Sequence, residues 1–112
     1  MKLNIKNEEG IVSITIEGNL VGSDNNELNT ELQKIIDSGM VKLIVNMKNV
    51  AQLDSFALGI LATSGSEIES RNGKLKFAEL QPFVATLFKM MRMNDLFDIY
   101  DTYEEALDSF KK

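Results

Sequence analysis

Asp54 and Ser55 stand side by side where a β-branched, mostly apolar run gives way to a long helical stretch, and their types limit the chemistry open to them. A carboxylate or hydroxyl at the start of a helix accepts a hydrogen bond from a free backbone N–H, so either residue suits an N-cap. A serine there can also accept a phosphate. That group brings about −1.5 to −2 charges to the positive end of the helix dipole, where free N–H groups can hold it. The same bulk and charge obstruct a partner packed on the neutral surface, so one hydroxyl can be both cap and switch.

The rest of the composition removes most competing chemistry. The 112 residues include neither histidine nor cysteine. There is thus no imidazole base, Ser-His-Asp triad, thiol nucleophile, disulfide framework or zinc site of the usual ligands. A carboxylate-only enzyme remains open, but Glu67, Glu69, Glu104, Glu105 and Asp108 fall at surface-type helix positions and read as solvated faces. Gly18, Gly22 and Gly59 do not form a phosphate-cradling loop, and no cofactor or metal is expected. The net charge of −5 and the scattered lysines, of which only Lys111-Lys112 form a dense pair, argue against nucleic acid and against an anionic membrane surface. The start of the chain alternates apolar and polar residues, unlike a signal peptide, and no run is long enough to span a bilayer. These features lead us to expect a cytoplasmic protein.

The elements that must position Asp54 and Ser55 follow from periodicity. Leu3 and Ile5, then Val12, Ile14 and Ile16, alternate with polar residues around an Asn7–Gly10 turn, which predicts a β-hairpin. Gly18 to Gly22 is a loop. Asp24 with Glu27 resembles a capping box, and Leu28, Leu32, Ile35 and Ile36 follow at helical spacing up to a stop at Gly39. Residues 41–47 read as a buried central strand. A helix follows from about Phe56 to Ser70, with Ala57, Ile60, Leu61, Ser64 and Ile68 inward, and then a strand at Leu75 and Phe77. Pro82 opens a third helix with Val84, Leu87, Phe88 and Met91 as its stripe. This assigns Met91 to the core and leaves Met90 or Met93 free to stand beside a partner. Leu96 to Tyr100 suits an edge strand, and Thr102 with Glu105 caps a last helix carrying Ala106, Leu107 and Phe110. The order β-β-α-β-α-β-α-β-α makes residues 1–112 a single α/β domain, with a mixed sheet of four to five strands and about four helices.

The stretch 54–59 (Asp-Ser-Phe-Ala-Leu-Gly) resembles the D-S-S/T-G-L-G signature of bacterial anti-sigma factor antagonists, founding members of the STAS domain family. Gly18-Asn19-Leu20 is similar to that family's hairpin exit, 41–50 to its central strand, Asn72–Leu75 to a turn into the next strand, and Pro82–Phe97 to its P-x-V-x-x-L-F segment. The resemblance implies a STAS-like fold and a protein that binds an anti-sigma factor which is also a serine kinase, so releasing a sigma factor. Phosphorylation of the serine after the motif aspartate breaks that complex, and a serine phosphatase resets it. Ser55 takes the acceptor position, and any nucleotide belongs to the kinase. The implied partner face comprises Gly18, Asn19, Val21, Ser23 and Asp24 with Asp54, Phe56, Ala57, Leu58 and Gly59, on a monomer or weak dimer. Two residues depart from the signature: Phe56 replaces the second Ser/Thr and Ala57 the first Gly. Val21-Gly22 also stands where an acidic residue is common. These changes suit a second reading, an adaptor in a signalling scaffold or lipid-transport complex that works without phosphorylation. A small carboxylate hydrolase is the third.

Overall fold

The computed structural model describes residues 1–111; Lys112, half of the terminal basic pair, lies outside them. Strands β1 (Lys2–Glu8), β2 (Ile11–Glu17), β3 (Lys42–Asn49), β4 (Lys74–Ala78) and β5 (Asp98–Tyr100) lie side by side in that order. The first pair is antiparallel and the other three are parallel. Five helices join them: α1 (Asp24–Asp37), α2 (Ser55–Ser70), α3 (Pro82–Met90), α4 (Met93–Leu96) and α5 (Tyr103–Phe110). This is the mixed sheet with crossover helices that the periodicity predicts, with the short α4 added.

The hairpin closes through Glu9 and Gly10, both at positive φ (54° and 85°), and the Gly10 N–H donates to Asn7 Oδ1 at 3.0 Å. Two left-handed residues match the twist of the flanking strands, which fixes the register. Val12, Ile14 and Ile16 from β2 and Leu43, Val45 and Met47 from β3 meet Leu28, Leu32, Ile36, Leu61 and Ile68 in the main core. Phe77 packs edge-on against Phe88 and Phe97, with centroids 5.0 and 5.5 Å away. On the opposite face, α5 covers a smaller cluster of Ile11, Ile44, Ala78, Ala106 and Leu107. Its predicted capping box is formed, with Thr102 Oγ1 accepting from the Glu105 N–H and Glu105 Oε1 accepting from the Thr102 N–H.

Three expectations need correction. The Asp24–Glu27 box is not formed, because Asp24 is already helical and Ser23 is the cap, without a side-chain bond. The N–H groups of Asp24, Asn25 and Asn26 instead reach the carbonyls of Val21, Gly22 and Ser23, so a tight turn satisfies the helix start with backbone alone. Met91 is 55% exposed, whereas Met93 is buried. The cause is local: α3 ends at Met90, Arg92 turns through φ 60°, and the reversal carries Met93 to the core in place of Met91. Ile60 is only half-buried, while Leu58 and Gly65 of the same helix are buried.

Gly65 sits where α2 meets the aromatic cluster, and a Cβ there would run into the Phe97 ring; at Gly59, on the outer side, nothing lies within 4 Å. Gly65→Ala should therefore lose about 1–3 kcal/mol through overpacking. Gly59→Ala should gain up to about 1 kcal/mol from helix propensity. Urea denaturation of both variants checks the contrast.

Candidate functional site

Parallel pairing of β2 with β3 brings the carboxyl ends of both strands to one edge of the sheet, the usual place for functional loops. The pairing continues past the strands. Gly18 N–H donates to the Asn49 carbonyl (3.2 Å), Leu20 N–H to the Gln52 carbonyl (3.0 Å) and Asp54 N–H to the Leu20 carbonyl (3.0 Å). The Gln52 N–H also reaches Asn19 Oδ1 at 3.1 Å. Leu20 and Leu53, both buried, form an isolated parallel bridge. The 18–24 loop and the start of α2 are thereby zipped together.

The Asp54 side chain completes this junction. It is the N-cap of α2, with Oδ1 accepting from the Ala57 N–H at 3.0 Å and from Asn25 Nδ2 at 2.9 Å. Oδ2 accepts from the Gly22 N–H at 3.0 Å. One carboxylate thus ties the 18–24 loop, α1 and α2. The Gly22 N–H and then the Ala57 N–H, with smaller help from the Asn25 amide and the Phe56 N–H, stabilise its charged form and hold its pKa below the ordinary 3.8, against the opposing effect of burial.

With Asp54 as the cap, Ser55 becomes the first helical residue and is exposed. The first N–H groups of a helix have no partner within it. Asp54 satisfies the one on Ala57 and also interacts with that of Phe56, which leaves the Ser55 N–H beside the Ser55 hydroxyl. Phe56 points outward, 72% exposed, and forms a shallow apolar groove with Asn29, Gly59, Ile60 and Thr63. Val21, 40% exposed, stands in the neighbouring loop.

The expected partner-face residues therefore divide into two groups. Gly18, Asn19, Val21 and Ser23 are exposed, Asp24 is half-buried, and Ser55, Phe56 and Gly59 are exposed. Ala57 and Leu58 are 0% and 6% exposed and belong to the core, because the third and fourth residues of α2 turn beneath the sheet edge. They cannot touch a partner directly. Asn25, buried and bonded to Asp54, went unrecognised in the sequence, where it is one of two adjacent asparagines some thirty positions from its partner. Among the described residues, no cluster of metal-ligating side chains is present.

A five-stranded mixed sheet with this helix order and an aspartate-capped serine at the carboxyl edge defines a class of small α/β domain. The chain belongs to the STAS domain family, whose model matches residues 2–106. It is 22% identical over 111 residues to BtrV of Bordetella bronchiseptica, which is named as a proposed anti-sigma factor antagonist, and the match covers 99% of this chain and 96% of that protein. A crystal structure of a proposed anti-sigma factor antagonist from Thermotoga maritima superposes with a TM-score of 0.94 at 19% identity, covering 98% of this chain and 95% of that one. The anti-sigma factor antagonist SpoIIAA in its unphosphorylated form superposes with a TM-score of 0.79 at 19% identity, covering 98% of each chain. At such identities the solved structures speak to the fold alone.

The direction of the Asp54 shift fixes a pH response. A carboxyl whose pKa is depressed by folding stabilises the folded state above its unfolded value, and that stabilisation is lost as pH falls through the lower folded value. The Gly22 and Ala57 amide resonances should therefore move together below pH 3.8, following Asp54 protonation. Asp54→Asn should abolish the coupled titration and speed hydrogen exchange at Gly22.

Proposed function

We propose that this chain is an anti-sigma factor antagonist whose binding to an anti-sigma factor with serine-kinase activity is controlled by phosphorylation of Ser55. The observation that carries the reading is the division of labour at the start of α2: Asp54 does the capping, and the exposed Ser55 hydroxyl is spared for another use. A phosphate on Ser55 would lie at the positive end of a 16-residue helix, beside its first N–H groups. It would also cover the face that a partner must reach. SpoIIAA, which shares the fold, has been solved in its phosphorylated form. In this reading a serine phosphatase restores the unmodified face, the chain itself catalyses nothing, and it works in the cytoplasm. Among the described residues no helix is long and apolar enough to cross a membrane.

The partner face comprises the exposed part of the 18–24 loop, Ser55, Phe56, Gly59 and the adjoining groove of α1 and α2. Of the two departures from the family signature, only Phe56 alters this surface, since Ala57 is buried. An exposed aromatic at the centre of a contact face makes a strong anchor. It gives this protein a larger apolar knob than the hydroxyl found there in the signature. The same knob supports the second reading, a constitutive adaptor whose partner packs on Phe56 and is indifferent to Ser55.

Pull-downs from native lysate separate the two readings. The switch predicts that wild type and Ser55→Ala retain a kinase-type anti-sigma factor and that Ser55→Glu loses it. Retention of one non-kinase partner by all three proteins would establish the adaptor. With the retained protein purified, Phe56→Ala should weaken its binding by about tenfold or more, measured by calorimetry.

A further inference from the structure

The sheet face turned away from α1, α2 and α3 is only partly covered. Helix α5 packs over Ile11, Ile44 and Ala78 and leaves β1 and the carboxyl-terminal parts of β2 and β3 less covered. Parallel strands are normally covered on both faces. Here the register places Asn4, Thr15 and Asn46 in one row across three strands, with Lys6 beside Ser13 in the next. These strand residues floor a groove of about 270 Å³ whose lining also includes Lys48, Glu79, Tyr103 and Glu104.

The floor carries hydrogen-bonding capacity that the protein does not use. Ser13 and Asn46 are each only 5% exposed. The Ser13 hydroxyl makes no hydrogen bond to the described residues. Asn46 uses only its Oδ1, which accepts from the Lys48 N–H at 3.0 Å, so both donors on Nδ2 are left free. Tyr103, in the lining, has its hydroxyl buried with no partner among the described residues. Polar groups buried to this degree are as a rule satisfied. Of the three, only the Tyr103 hydroxyl is shut off from solvent, and it lies beside the Ser13 hydroxyl and the Asn46 amide donors in the lining of one groove, where a ligand could supply partners to all of them.

Charge selects the class of ligand. Two lysines, Lys48 and Lys6 (the latter 3.6 Å from Glu8 Oε1), line the groove with two carboxylates, Glu79 and Glu104, so the lining has no net charge to attract an anion or a cation. Glu79 is in addition engaged in accepting from the Tyr103 N–H at 2.7 Å. A floor of free donors beside a rim with acceptors matches hydroxyl groups, each of which accepts and donates. The volume limits the ligand to a single small ring. We infer that this groove binds a small neutral polyhydroxylated molecule, a monosaccharide or cyclic polyol, on the opposite face of the sheet from the Phe56 groove.

Titration of the ¹⁵N-labelled full chain with glucose, myo-inositol, succinate and inorganic phosphate tests this. The expected result is saturable shifts of the Ser13, Thr15, Asn46 and Lys48 amides with at least one of the two polyols, with Ser55 and Phe56 unmoved. Ser13→Ala removes one hydroxyl and no backbone contact, and it should weaken that binding about tenfold, the worth of one hydrogen bond in a site built for it. Thr15→Val, on the half-buried neighbour, provides a second variant with the same expectation. The proposal is overturned if neither polyol gives a saturable shift, if only succinate or phosphate does, or if both variants bind as wild type does.

Discussion

The Asp54 carboxylate sits at the junction of three segments that meet only through tertiary folding: the loop after the hairpin, the first turn of α1 and the first turn of α2. Its two oxygens accept from Gly22, Asn25 and Ala57, at 2.9 to 3.0 Å. Hydrogen bonds to an ionised acceptor are shorter and stronger than neutral ones. The backbone bonds between residues 18–20 and 49–54 bring the segments together, and the carboxylate sets their final spacing. An amide at this position offers only one acceptor oxygen and could not serve all three donors.

That constraint explains why a serine and a phenylalanine next to it can form a surface of fixed shape. Because Asp54 caps α2, the helix begins one residue later, and its first two side chains project from the sheet edge while the next two turn into the core. A phosphate on Ser55 would share this small region with the Asp54 carboxylate. Like charges this close raise each other's cost. Modification would then act twice, by covering the face beside Phe56 and by loading the clasp that holds the 18–24 loop. The sugar-sized groove lies on the other side of β3, the strand whose following loop leads to Asp54, so the two faces share one strand.

Periodicity made the architecture legible because most elements bury a regular stripe. The alternation of Val12, Ile14 and Ile16, the mostly apolar run of β3 and the Thr102–Glu105 box each translate directly into structure. The misses fall where backbone geometry outweighs side-chain pattern. Carbonyls of the preceding turn satisfied the start of α1, so Asp24 had nothing to cap. A left-handed Arg92 exchanged Met91 for Met93. At the site, Asp54 and Ser55 were legible because a polar pair before a helix has few uses. Asn25 was not, since its role depends on a residue far away in sequence. The type of Phe56 suited core and surface equally, and only the phase of α2, set by the Asp54 cap, turns it outward. The same phase buries Ala57 and Leu58, which the motif alone groups with the contact residues.

The central claim is that partners reach this domain at the edge organised by Asp54. Amide hydrogen exchange of the protein, free and bound to the anti-sigma factor proposed as its partner, tests that claim most directly. The account predicts new protection confined to residues 18–24, the first two turns of α2 and the facing turn of α1, and its loss when Ser55 carries a phosphate. Protection centred on α3 to α5, with the edge exchanging as in the free protein, would contradict it.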